Sequence, residues 1–456
     1  MQIKKIKQTL IDRYQRYILI RAFLSMILYL HNDTRKTNIS FFKVIYTFLF
    51  HFIYLVYNEV KFFLYKILNT IREIGFAQKL RKQILLNIPL LKKNTFIIPY
   101  PVNLKKKDNR LFKNSNFYYI RPSKLIKVKK AYLYIATEFG IVYKNFIINS
   151  KSIHGKWDRR NVKIIKSYYD MIFTRHVESE FSKKGEIIFL DSNNNYLLIH
   201  NWFNYYHWIT ESLYRLLSVS GSLEKYTLLL PESLQSNNFV NDSLKAIPNI
   251  NIKYIQNNSI IKFPKLNFVT QKKYCDNYEA SILKKIKDYY FEYIINNNIK
   301  SPLDNDKIFI SRKASKRRFI QNENEFYDVL KTHGFAIVDF EDYSFFEQVA
   351  MMQQTKYLIG IHGSGMTNMI FMKEGGKILD FYRHIKSSKD HHCIVYWRLA
   401  GVLKHEFYYQ FCEPITSNNV EKYANRKNYF NADFHTFHLN IDITEFENNL
   451  ILLLAE

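Results

Sequence analysis

The 456-residue chain holds only three cysteines, Cys275, Cys393 and Cys412, far apart and without a Cys-x-x-Cys pair. That excludes a disulfide framework and a cysteine-based zinc site, and it points to a reducing compartment. Acid is also scarce: 40 Asp and Glu face 67 Lys and Arg, a net charge of +27. Such a surplus fits nucleic acid, an anionic membrane surface or anionic substrates. No RNP, KH, zinc-finger or helix-turn-helix signature is present, so charge alone would have to carry nucleic-acid binding, and no nucleic-acid partner is expected. Long apolar runs are missing as well. Of the two apolar runs that stand out, Tyr17 to Leu30 is broken by Arg21, and the uncharged Val44 to Asn58 has 15 residues, short of the ~20 a membrane-crossing helix needs; no small-residue cleavage site follows either.

An apolar share of 47% with 17% aromatics excludes disorder across the whole chain and supplies core for two lobes of about 150 to 200 residues each. Residues 1–95 stand apart, with 17 Lys and Arg against 4 Asp and Glu, a surplus of 13, interleaved with aromatics. They read as basic, aromatic helices lying in the interface of an anionic membrane. A tilted span, or ordinary packing onto the next lobe, is the alternative.

The most legible stretch runs from Lys307 to Arg383. Apolar strands at Lys307 to Ser311, Phe335 to Phe340, Tyr357 to His362 and Lys377 to Tyr382 alternate with helical patterns, which predicts a parallel, helix-covered sheet. Asn322 with Glu325, and Ser344 with Glu347, have the spacing of capping boxes, and Gly334 that of a helix stop. The third strand runs into His362-Gly363-Ser364-Gly365-Met366-Thr367-Asn368, a tight turn whose following helix offers free N–H groups to an anion. The first strand ends in Ser311-Arg312, followed by Lys313, Lys316, Arg317 and Arg318. Ligands of open α/β sheets sit at this carboxyl edge, so a diphosphate is the expected occupant. Gly-x-Gly turns also serve packing alone, which is the plainer reading of the glycines.

Upstream, Asn204 caps a predicted helix on which His207, Glu211 and Arg215 recur every four residues. The carboxylate can fix the imidazole in one tautomer, as a general base requires. The plainer reading has Glu211 bridge its neighbours while His207 closes a pocket. Asp304-Asn305-Asp306 precedes a strand and reads as a turn, not as a metal motif. His391-His392 lacks a third ligand at fixed spacing, so no metal is expected.

In order, Ile-Ser-Arg at 310–312, Asn322-Glu323, Phe-x-Glu-Gln at 345–348, the Ile361 to Asn368 run and a strand ending Asp380-Phe-Tyr resemble the donor half of glycosyltransferase family 61. Tyr206-His207-Trp208 matches as well, and the resemblance covers roughly 195 to 383. It implies an α/β fold of two Rossmann-like lobes (GT-B type) and inverting transfer of a sugar from a nucleotide-diphosphate donor without a bound metal or other cofactor. It also implies a glycan or lipid-linked glycan acceptor of the capsule or lipopolysaccharide kind. Asp380 stands where the family more often has Glu, so its reach is shorter.

The expected organisation is 1–95 as the basic segment, 96–300 as the acceptor lobe, 301–435 as the donor lobe and 436–456 as a terminal helix bracing the first lobe. The expected roles are base for His207, held by Glu211, with Arg215 nearby and Glu347 and His362 as rivals. Arg312, Arg317, the Gly363 to Thr367 amides and the Thr367 hydroxyl would receive the leaving diphosphate, and Asn368 and Asp380 would hold sugar or ribose hydroxyls. The expected location is cytoplasmic, peripheral on the inner face of the cell membrane. The reading from another class is a non-catalytic basic protein binding membrane or nucleic acid.

Overall fold

The structure, a computed structural model, describes residues 88–89, 94–113, 115–120, 123–136, 140–144, 147–148, 167–168, 171–172, 175, 187–191, 193–199, 204–219, 223–270, 276–312, 318, 320–383, 394–415 and 438–455. The chain falls into two compact units, Met1–Ile84 and Leu85–Glu456, and all described elements belong to the second. The expectations for the basic amino-terminal helices therefore lie outside the described residues. Among the described residues no helix is long and apolar enough to cross a membrane.

Lys307–Ile310, Ala336–Val338, Tyr357–Ile361, Lys377–Arg383 and Glu406–Ile415 form parallel strands, and His438–Asn440 closes the sheet antiparallel. Lys307–Ile310 lies between Ala336–Val338 and Tyr357–Ile361, so the chain winds first to one side and then to the other. Both faces are buried, which is why these strands read as unbroken apolar runs. Ile308, Ile310, Leu358 and Ile378 point to one core, while Phe309, Ile359, Leu379 and Phe381 point to the other. Glu406–Ile415, rich in aromatics, is thus a further strand of this sheet.

The first core also takes in helices Phe345–Gln354 and Ile394–Val402, helix Ala280–Asn296, and Leu197, Leu228 and Leu230 of a second sheet. Tyr293 stacks on Phe346 with centroids 4.2 Å apart. One continuous apolar layer therefore joins the two halves expected as separate lobes. The second sheet is mixed. Asn251–Ile255, Thr227–Pro231, Tyr196–Leu198 and Ser259–Val269 run parallel, and Lys124–Ile135, Gly140–Lys144 and Ile147–Ile148 extend them antiparallel. It is Rossmann-like only in its parallel part. The basic stretch Lys124 to Lys130 belongs to the long strand itself.

Two helix-end expectations separate here. Ser344 and Glu347 form the full capping box: the Ser344 amide donates to Glu347 Oε2 at 2.8 Å, and the Glu347 amide to Ser344 Oγ at 3.3 Å. Ser344→Ala should lower stability by about 1 kcal/mol, read as a lower urea midpoint at unchanged slope. Asn322 makes no such cap. Its side chain instead donates to the Ile441 carbonyl at 2.8 Å and accepts the Ile441 amide at 3.0 Å, tying down the start of the last helix. That helix, Ile443–Leu454, was expected to brace the first lobe. Instead its Phe446, Leu450 and Leu453 pack with Phe326 and Phe381 in the second core, covering the parallel sheet. Its polar ties, Asn103 to Asn449 at 2.8 Å and Lys105 to Glu445 at 2.5 Å, reach the stretch expected as the first lobe.

Candidate functional site

Strands Lys307–Ile310 and Tyr357–Ile361 are adjacent and parallel, with Ile310 beside Gly360. Their carboxyl ends therefore deliver Ser311-Arg312 and His362-Gly363 to the same edge, at the point where the winding reverses, where such sheets place ligands. The contact is close: the Arg312 guanidinium fills the space a Cβ on Gly363 would occupy. Gly363 has φ of −176°, which any residue can adopt, so the demand for glycine comes from space and not from backbone conformation. Gly363→Ala should leave the melting temperature within about 2 °C, because only a flexible side chain must move. Displacing that side chain should weaken diphosphate binding by about tenfold or more in titration calorimetry.

Arg312 is partly buried, and burial, followed by repulsion from Arg318, pushes its guanidinium down to about 10. Two guanidiniums held together at a sheet edge favour an anion between or beside them. Arg318 Nη1 donates to the His362 carbonyl, with Arg318 itself at φ of 57°. Sequence reasoning chose Arg317 from this run of cations, but it lies outside the described residues. Asp339 and Glu341 follow the neighbouring strand; a hydrogen bond to Asp339 and then burial raise the Glu341 carboxyl, which sits in the field of Arg312.

The turn itself is a 3-10 helix, Ser364–Phe371, and not an α-helix. Its first amides still lack partners within the helix, and Ser364 and Gly365 are half-buried. Behind this rim the residues are sealed. Met366 packs its sulfur where a Cβ on Gly360 would stand, and Thr367 is wholly buried. Asn368 accepts from the Tyr205 hydroxyl at 2.5 Å and donates to Gln348 at 3.3 Å. The Thr367 hydroxyl is buried without a hydrogen-bond partner among the described residues, and Asn368 ties the glycine turn to the helix that carries His207.

Asp380 is buried, with its Oδ2 2.7 Å from His362 Nδ1, while its Oδ1 has no hydrogen-bond partner among the described residues. Burial raises its carboxyl, while His362 and Arg318 pull it down. The His362 ring rests against Tyr382 and Tyr396, with centroids 4.5 and 4.6 Å away. Tyr396, from helix Ile394–Val402, was missed by sequence reading. Burial holds its hydroxyl well above the usual tyrosine range, and it feels Asp380, Arg318 and Arg312.

On the other side, Asn204 Oδ1 accepts the His207 amide at 3.1 Å, the predicted cap. Tyr205–His207 is helical, Trp208–Leu213 widens into a π-helix and Tyr214–Ser218 resumes as α. Such widened turns often mark functional positions. His207 Nδ1 lies 3.2 Å from Glu211 Oε2, with the histidine side chain 16% exposed and the glutamate 3%. Arg215 is buried, and burial pushes it down to about 9 against the pull of Glu211. The rings of Tyr206 and Tyr396 stand between the two histidines, with centroid spacings of 5.1, 5.9 and 4.6 Å along the series. Glu347, the rival base, is occupied as a helix cap. Among the described residues no cluster of His, Cys, Asp and Glu could hold a metal ion.

Residues 205–379 match the family model described as Glycosyltransferase 61. Curated relatives include EGF domain-specific O-linked N-acetylglucosamine transferases. Those of Canis lupus familiaris and Pan troglodytes are 28% identical over 102 residues, 21% of this chain and 19% of theirs. That of Bos taurus is 28% identical over 81 residues, 17% of this chain and 15% of its own. The chain thus spans about a fifth or less of the length of these relatives.

Proposed function

We propose, on the premise that residues 205–379 are a glycosyltransferase 61 region, that this chain transfers a sugar from a nucleotide-diphosphate donor to an acceptor hydroxyl with inversion. The observation that carries the reading is the placement of Arg312 against the Gly363 turn at the switch point of a doubly wound sheet. The donor diphosphate lies along Arg312 and the amides of Gly363 to Gly365, with Arg318 adding charge. The acceptor oxygen attacks the anomeric carbon as the bond to the β-phosphate oxygen breaks, and the acceptor proton passes to His207. Two steps limit the reaction, removing that proton and receiving the negative charge of the leaving group. His207 serves the first, held by Glu211; Arg312 and the turn amides serve the second. His362, fixed by Asp380, keeps the turn in place through the carbonyl that Arg318 grips.

A two-lobed GT-B arrangement, a capsule or lipopolysaccharide acceptor and an anionic membrane surface as docking place belong to the same reading. The support for them is the order of the motifs and the surplus of 13 cations in residues 1–95. A panel of nucleotide sugars that includes UDP-N-acetylglucosamine, the sugar in the relatives' names, tests the chemistry by release of free nucleoside diphosphate. One donor should be turned over. Turnover of none, with steep salt-dependent nucleic-acid binding and no thermal protection by any nucleotide, would favour a non-catalytic basic protein instead.

A further inference from the structure

Nine large hydrophobic residues are well exposed among the described residues, and five of them, Ile97, Tyr100, Val102, Phe117 and Tyr119, fall within one stretch of the chain. That stretch is the antiparallel ribbon Asn94–Ile97 with Phe117–Ile120 and the loop between them. The ribbon has two faces. Phe96 and Tyr118, directly paired, stack at 5.4 Å, and Tyr118 and Ile120 are buried. Ile97 and Phe117, also directly paired, turn outward and are 74% and 54% exposed. Alternation along a strand accounts for the pattern, but a soluble surface would place polar side chains at the outward positions.

The loop is compact, closed at its base by the Ile98 amide on the Asn116 carbonyl at 2.7 Å and fixed by Trp397 Nε1 on the Pro99 carbonyl at 2.7 Å. It carries Lys106, Lys107, Arg110 and Lys113, all exposed. Its one acid, Asp108, accepts from the Tyr409 hydroxyl at 2.8 Å and so faces the body of the protein. Apolar and aromatic side chains beside unopposed cations suit the interface of a bilayer containing anionic lipid: the rings and aliphatic groups enter the boundary layer and the cations remain at the headgroups. The ribbon also begins at the end of the basic stretch 1–95 in the chain.

We propose that the outward face of this ribbon, with the exposed cations of its loop, is a membrane-contact surface for anionic lipid. This rests on the reading of an anionic membrane surface as a partner and is independent of the sugar chemistry. The test uses the full chain in flotation with vesicles of phosphatidylcholine alone or with about 30 mol% phosphatidylglycerol. Wild type should float with the anionic vesicles and far less with the neutral ones. Ile97→Ser/Phe117→Ser and, separately, Lys106→Glu/Lys107→Glu should each lower the bound fraction about threefold or more, with thermal melting unchanged. Wild-type flotation by both variants would overturn the proposal while leaving membrane docking to residues 1–95. No flotation of the wild type, equal flotation with neutral vesicles, or a loss confined to nucleic-acid binding would overturn the membrane reading together with it.

Discussion

Arg312→Ala should abolish the thermal shift produced by a nucleoside diphosphate and lower turnover by about 10² to 10³, the scale on which charge-stabilising donors act. The size follows from position. Arg312 closes the first strand of the sheet, lies against the glycine turn closing its neighbour, and is held there partly buried beside a second guanidinium. Without an anion that pair is mutually repulsive, so the unliganded variant should melt no lower than wild type. Arg312→Lys should recover only part of the binding, because a point charge cannot supply the planar two-pronged contact of a guanidinium. A unit-for-unit loss of stability with binding, in place of this split, would mark Arg312 as structural.

His207→Ala has the opposite signature. Turnover should fall by about 10² to 10⁴, the contribution of a positioned general base, while the nucleoside diphosphate shift stays within error. His207 sits on the far side of Tyr206 and Tyr396 from the arginines, so removing its imidazole leaves the diphosphate edge untouched. Glu211→Gln should cost less and should move the pH dependence of turnover, since Glu211 acts only through the imidazole 3.2 Å away. Retention of full activity in His207→Ala would pass the role of base to another group.

The parallel sheet was readable because strands buried on both faces are unbroken apolar runs, and because Ser344 and Gly334 mark helix ends by local chemistry. Glu406–Ile415 was not, since Tyr408, Tyr409 and Gln410 break the aliphatic pattern; Tyr409 is ordered by Asp108 and Asn103, some 300 residues away in sequence. The capping sequence at Asn322 failed for a related reason: the amide found better partners in the backbone of Ile441. Local spacing identifies a cap only when no distant backbone competes for it.

At the candidate site, the juxtapositions that a turn, a strand end and a helical repeat make by themselves were legible: Arg312 against Gly363, and His207 beside Glu211. The partners of Asn368 and Asp380 were not legible, because each depends on what the fold sets opposite: Tyr205 takes Asn368, and His362 takes Asp380. Tyr396 carries no motif at all. Its one sequence signal is its place in the apolar helix Ile394–Val402, which reads equally well as plain core.

The most direct test is a crystal structure of the full chain soaked with UDP. The diphosphate oxygens should lie within hydrogen-bond distance of the Arg312 guanidinium and the amides of Gly363 to Gly365. A nucleotide bound elsewhere on the molecule, with that strand edge closed by apolar side chains, would contradict the account at its base.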